Sequence, residues 1–193
     1  LARARERHLA GEPVPGLRRG RVPAGSPPRR VFVYSGQGSQ RPGMGLELAA
    51  AFPVVRESLE RFDALYQSRT GRSMLQELGR GDEDSWLGRT EIAQPALLAI
   101  QVALTDLWRS WGISPDAVVG HSVGEIAAAH AAGALSLEDA VRVSCERGRA
   151  MERLAGRGGM AAVALGDADA AAIARQAPGR LSLAAVNGPE SSV

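Results

Sequence analysis

Residues 120–124 read Gly-His-Ser-Val-Gly, between the short apolar run Ala117–Val119 and an alanine-rich stretch. A serine with glycine two residues before and two after it, at a strand-to-helix junction, has the form of a nucleophile elbow. Such a serine sits on a sharp, strained turn, and Gly120 and Gly124 supply the missing bulk on either side. Ala127, Ala128 and Ala129 let the following helix pack closely. The competing reading is a serine N-cap in a glycine-rich turn; the flanking strand and small-residue helix favour the elbow. The expected fold is α/β, a hydrolase-like unit with a short parallel sheet.

The elbow assigns roles to its neighbours. Ser122 is the candidate nucleophile. The Val123 N–H, at a helix N-terminus, can donate to an oxyanion that the helix dipole also favours. A nucleophilic serine needs a base, and the only histidines are His8, His121 and His130. His8 is remote, His121 is the adjacent residue on a tight turn, and His130 is about two helical turns away. None is a credible base.

Composition narrows the class. The 193 residues are 45% hydrophobic and 23% charged, as in a globular protein. No apolar run approaches the roughly 20 residues of a membrane span, and no signal-peptide pattern opens the chain. The single cysteine, Cys145, permits no internal disulfide and fits a reducing cytoplasm. Residues 1–30 hold eight arginines and two glutamates, leaving −4 of the net +2 to the remainder. No aromatic residue interleaves these arginines, and Pro13, Pro15, Pro23, Pro27 and Pro28 favour extended backbone. That reads as an interdomain linker rather than a nucleic-acid arm. The start at Leu1 is expected of a piece of a longer polypeptide.

Along the chain, Val31–Ser35 is predicted to be a buried strand ending in the turn "GQGSQRPG", with helices over about 44–52 and 54–67. Residues 69–88 are polar and glycine-rich; their Arg80-Gly81-Asp82 could be an adhesion tripeptide, a reading disfavoured in a cytoplasmic-looking chain. A long helix is predicted from about Pro95 to Trp111, with the proline in its first turn. "DAVVG" is predicted to be a buried strand, and Ser136 caps a helix running to about Leu154. Beyond "AGRGG" the pattern is strand 160–165, helix 167–177, strand 180–187, the opening of a smaller βαβ-like unit.

Three stretches make the elbow specific: "FVYSGQGSQRPGMG" (32–45), "GHSVGE" (120–125) and "RGRAM" (147–151). In this order and spacing they resemble the malonyl-CoA:acyl-carrier-protein transacylase family, and within it the acyltransferase domains of modular type I polyketide synthases. The resemblance covers about residues 31–193, and residues 1–30 resemble the linker after a ketosynthase. It implies a large subdomain over 31–156 and the start of a small ferredoxin-like α+β subdomain over 157–193, truncated. It also implies that Ser122 is acylated, that Gln37 joins the Val123 N–H in the oxyanion site, and that Arg147 grips the extender's free carboxylate. Gln94 and His121 would line the substrate pocket. A planar guanidinium suits a carboxylate well, whereas the bland role for Arg147 is a surface ion pair, as expected of Arg142, Glu146 and Arg149. For Gln37 the bland role is a turn-capping amide; "GQGSQ" lacks the Lys-Ser/Thr of a phosphate loop.

The implied reaction is ping-pong transfer from malonyl-CoA, or a related extender, to the phosphopantetheine thiol of an acyl carrier protein. No bound cofactor, metal, nucleic acid or membrane is involved. The implied base is a histidine past Val193, so the 193 residues alone are expected to be inactive and poorly soluble. "RTEIAQ" (89–94) and Val123 resemble the malonyl-type pattern, although Ile92 stands where malonyl-type sequences usually carry an aromatic residue. Two alternatives remain: an α/β-hydrolase or thioesterase, which leaves "GQGSQ" and Arg147 unexplained, and a non-catalytic scaffold domain.

Overall fold

The computed structural model describes residues 7–12, 25 and 29–193. The prolines of the expected linker lie outside these residues. Residues 7–12 form one helical turn, in which the Glu12 N–H donates to Arg7 O at 2.9 Å and the two side chains form an ion pair.

Eleven elements follow among the described residues: β1 (Val31–Tyr34), α1 (Leu46–Ala51), α2 (Pro53–Thr70), α3 (Met74–Leu78), α4 (Thr90–Ser110), β2 (Ala117–Gly120), α5 (Gly124–Ala131), α6 (Leu137–Glu152), α7 (Asp167–Arg175), β3 (Val186–Gly188) and β4 (Ser191–Ser192). β1 and β2 pair in parallel, with Val31 opposite Ala117 and Tyr34 opposite Gly120. Helix α4 is the spine. Its Leu98, Val102 and Leu107 join Leu59 and Phe62 of α2 and Val141 and Cys145 of α6 in one core. The strand layer is tied to that spine by a buried bond between Tyr34 Oη and Thr105 Oγ1 (2.8 Å) and by Gln101 Nε2, which donates to Ser35 O at 2.8 Å. The expected α/β architecture with a short parallel sheet is the one observed.

Several sequence expectations are corrected. β1 and β2 are not buried strands: Val33 is 74% exposed and Val119, its register partner, 54%. Only the opposite face is covered, by α4 and α5, so the alternation of exposed and covered residues is that of a one-sided sheet. The polar stretch 69–88 contains α3, whose Met74 and Leu78 are fully buried. Its N-terminus is held from outside, by the Asp63 carboxylate accepting from the Met74 N–H at 2.5 Å and from Ser73 Oγ at 3.0 Å. Ser73 also caps this start locally, its Oγ accepting from the Gln76 N–H at 3.1 Å, whereas the Asp63 contact leaves no local mark. Helix α4 starts at Thr90, so Pro95 lies inside it rather than in its first turn. The earlier start is stabilised by Glu152, whose carboxylate accepts from the Thr90 N–H at 2.7 Å.

The C-terminal strands are shorter than predicted. Of residues 160–165 only Val163 pairs, antiparallel with Ser192; of 180–187 only the end enters β3, which turns back into β4. The arrangement is a hairpin with one further antiparallel bridge, not a parallel βαβ unit.

Candidate active site

The turn between β2 and α5 is set by what its residues cannot carry. Ser122 has φ 55°, the only non-glycine positive φ among the described residues. A Cβ on Gly124 would strike the carbonyls of Tyr34 and Ser35, and one on Gly120 would strike the backbone of Glu125. The two glycines therefore let the turn close onto the end of β1 and onto the start of α5. The carbonyls of His121, Ser122 and Val123 accept from the amides of Gly124, Glu125 and Ile126 at 2.9, 3.1 and 3.1 Å. The Val123 N–H has no acceptor among the described residues, while the Val123 side chain is completely buried. One donor at the foot of α5 is thus left without a partner among the described residues.

The first glycine-rich turn lies against this elbow. A Cβ on Gly36 would fall 3.0 Å from His121 Nδ1 and 3.3 Å from Ser122 Cβ. Gln37, the next residue, is exposed, and its side chain bonds to nothing among the described residues; the local cap is made by Gln40, which accepts from the Gly38 N–H at 2.8 Å.

Arg147 reaches the nucleophile from α6. Its Nη2 donates to Ser122 Oγ at 3.1 Å, while Nη1 is buried without a partner. The neighbouring charges behave as solvated pairs: Arg142 with Asp139 at 2.8 Å and Arg149 with Glu146 at 3.1 Å. Gly148 sets the height of Arg147, because a Cβ there would meet the backbone of Thr90 and Glu91 at about 3 Å. α6 therefore runs hard against the start of α4, which also brings in Gln94. Gln94 is buried, with Nε2 3.1 Å from Met151 Sδ and Oε1 unpartnered.

Neither nearby histidine meets Ser122. His121 Nε2 lies 2.9 Å from Asn187 Oδ1, and His130 Nδ1 lies 3.0 Å from Leu135 O. Ile92 is buried in a separate place, lining with Tyr66, Cys145 and Arg149 a cavity of about 150 Å³ whose wall excludes Ser122. Burial pushes the Cys145 thiol up to about 11, so it is held as an inert thiol. The Arg80-Gly81-Asp82 tripeptide is not a free loop: Arg80 pairs with Glu77 at 2.9 Å and lies over the Trp86 ring. No described helix is long and apolar enough to cross a membrane.

Sequence reasoning thus named Ser122, Val123, Arg147 and the turn carrying Gln37, and the fold brings these together. It missed Gly148, Glu152, Gly36 and Asn187. Gly148 was legible as a glycine inside a helical pattern, which marks a close approach, and Gly36 as the first residue of the glycine-rich turn; Glu152 and Asn187 act across the fold and leave no local mark.

What this arrangement can do is clear in outline: a strained serine, an unpaired amide at a helix start and a guanidinium with spare capacity suit acyl transfer. Comparison with known proteins agrees. Residues 31–193 match the family model described as the acyl transferase domain. The chain is 48% identical over 189 residues to the polyketide synthase GfsE of Streptomyces halstedii, covering 95% of this chain and 5% of that protein. It superposes on the acyltransferase domain from the second module of the salinomycin polyketide synthase with a TM-score of 0.84 and 44% identity, covering 99% of this chain and 44% of that one. A malonyl-transacylase in complex with a type II polyketide synthase acyl-carrier protein aligns with a TM-score of 0.73 and 31% identity, over 86% of this chain and 54% of that one. The chain therefore spans less than half of that salinomycin domain and a small fraction of the curated synthase. It belongs to the acyl transferase domain family found in polyketide synthases.

Proposed function

We propose that this chain carries the nucleophile half of a site that moves a malonyl-type extender unit from coenzyme A to the phosphopantetheine thiol of an acyl carrier protein. The observation that carries this reading is Arg147, with one terminal nitrogen on Ser122 Oγ at 3.1 Å and the other buried and unpaired. A buried unpaired guanidinium nitrogen is costly, and a carboxylate on the substrate would satisfy it.

Ser122 Oγ attacks the thioester carbonyl, forming the C–O bond as the C–S bond breaks and coenzyme A leaves as the thiol. The Val123 N–H, with Gln37 from the adjoining turn, takes the negative charge that develops on the carbonyl oxygen. The carrier thiol then attacks the acyl-serine, restoring the serine hydroxyl. Both steps need a base for the attacking group's proton, and with His121 and His130 otherwise engaged we place it beyond Val193, as a histidine. Gln94 and His121 line the pocket in this reading. Residues 31–156 form the larger subdomain and 157–193 begin a ferredoxin-like one, a reading supported by the hairpin β3–β4 flanked by Val163. The flanking ketosynthase, the preceding linker and the cytoplasmic setting follow from the same family reading. The extender is read as malonyl from "RTEIAQ" and Val123.

The test is an intact-mass experiment on the full polypeptide that contains this chain, incubated with equal malonyl- and methylmalonyl-CoA beside Ser122→Ala. A malonyl increment lost in the variant is the expected result. A methylmalonyl increment keeps the mechanism and overturns the extender. No increment, with thioester hydrolysed to free acid, would return the reading to a thioesterase.

A further inference from the structure

Among the described residues, one side-chain hydrogen bond joins residues 157–193 to the rest of the fold: His121 Nε2 to Asn187 Oδ1, 2.9 Å, across 66 residues of sequence. Both partners sit at consequential places. His121 precedes the candidate nucleophile, and its own N–H donates to Tyr34 O at 2.9 Å, so its backbone is fixed at the end of β1. Asn187 is the middle residue of β3, at the irregularity between Val186, opposite Ser192, and Gly188, opposite Ser191. An amide oxygen facing Nε2 makes that nitrogen the donor of the pair. Nδ1 is the atom that faces Gly36, directly before Gln37. Asn187 therefore orients an exposed ring that lies beside both the serine turn and the Gly36–Gln37 turn.

We propose that Asn187 is a positioning residue of the acyl-transfer site: acting through His121, it fastens the β3–β4 hairpin to the serine turn and braces the Gly36–Gln37 turn beside Ser122. The proposal rests on the acyl-transfer reading above. Asn187 itself touches neither Ser122 nor Arg147. Its loss should therefore loosen the oxyanion side of the site while leaving the carboxylate grip in place. The effect falls on the acyl-transfer step, not on extender binding.

The experiment is steady-state transfer from malonyl-CoA to a carrier protein by the full polypeptide, with Asn187→Ala, Asn187→Asp, His121→Ala and the His121→Ala/Asn187→Ala double variant, each checked by a thermal melt. Asn187→Ala is expected to lower kcat about tenfold, the rate equivalent of one hydrogen bond. The KM for malonyl-CoA should stay within about twofold, since uniform binding is untouched. Asn187→Asp, which keeps an acceptor oxygen, should recover most of the loss, and the double variant should be no slower than His121→Ala alone. An unchanged kcat in folded Asn187→Ala, or additive losses in the cycle, would overturn the proposal. So would a folded Asn187→Asp as slow as the alanine variant. Should Asn187→Ala melt below the assay temperature, Asn187→Asp carries the comparison. A parent polypeptide that takes up no acyl group sinks the acyl-transfer reading and this one with it; an active parent indifferent to Asn187 sinks this one alone.

Discussion

Arg147 Nη2 and Ser122 Oγ are 3.1 Å apart, so the guanidinium and the hydroxyl share one small volume. An acyl group bound to Oγ through its carbonyl carbon would hold a carboxylate one carbon further on, beside the same cation. Arg147→Ala is expected to lower kcat/KM for malonyl-CoA by roughly 30- to 150-fold, the equivalent of a charge-assisted hydrogen bond worth about 2–3 kcal/mol. Parallel assays with acetyl-CoA check this. Equal losses with both substrates would mean that Arg147 serves the serine or the fold rather than the carboxylate.

The positive φ at Ser122 (55°) implies a stability difference between two inactive variants. Alanine keeps the backbone cost of that conformation and glycine removes it. Ser122→Gly should be more stable than Ser122→Ala by about 1 kcal/mol, read from urea unfolding. The reverse order would mean that the turn relaxes once the hydroxyl is gone.

Gly124→Ala and Gly71→Ala separate crowding from conformation. Both glycines abut helices, but a Cβ at Gly124 collides with the carbonyls of Tyr34 and Ser35, whereas Gly71 (φ 70°) faces open space. Gly71→Ala should cost about 1 kcal/mol of backbone strain. Gly124→Ala, an overpacked and rigid contact, should cost about 1–3 kcal/mol and reduce acylation as the elbow shifts. A Gly124→Ala variant that melts no lower than Gly71→Ala and acylates normally would refute the close approach of α5 to β1.

Stability should fall on the alkaline side. Burial raises Cys145 from 9.0 to about 11 and Tyr66 from 10.0 to about 12. The folded protein therefore keeps two protons that the unfolded chain releases first. Their contribution is whole below about pH 9 and is lost as the pH rises, through 9–11 for Cys145 and 10–12 for Tyr66. Urea midpoints measured across this window should decline, and Cys145→Ala should remove the earlier limb. A midpoint that does not move would show that the α2–α6 core admits water around both groups.

The elbow was legible because its constraint is local: glycine at 120 and 124, apolar before, alanine after. The long helices were legible for the same reason, since Val55, Leu59 and Phe62 recur at helical spacing. Where the reading failed, atoms from elsewhere in the fold contributed to the outcome. Asp63 braces the start of α3, which Ser73 also caps, and Glu152 braces the start of α4, from 11 and 62 residues away. The strands at 160–165 and 180–187 have strand-like side chains, but a strand exists only where a partner backbone lies alongside, and only Val163 and the end of the second run find one. The one-sidedness of β1 was equally hidden, because Val31 and Val33 look the same in sequence whether covered or bare.

Gly148 has no side chain, and for that reason α6 can lie against Thr90 and Glu91. The position of the cation at 147 is thus encoded partly by an absence at 148. A methyl group added there would meet no acyl chain, thiol or carrier, yet it would lift the guanidinium away from the serine. In the proposed acyl-transfer site, substrate preference then depends in part on a residue outside the carboxylate contact itself. A change at 148 would enter the record of variants as a change of diet, not of architecture.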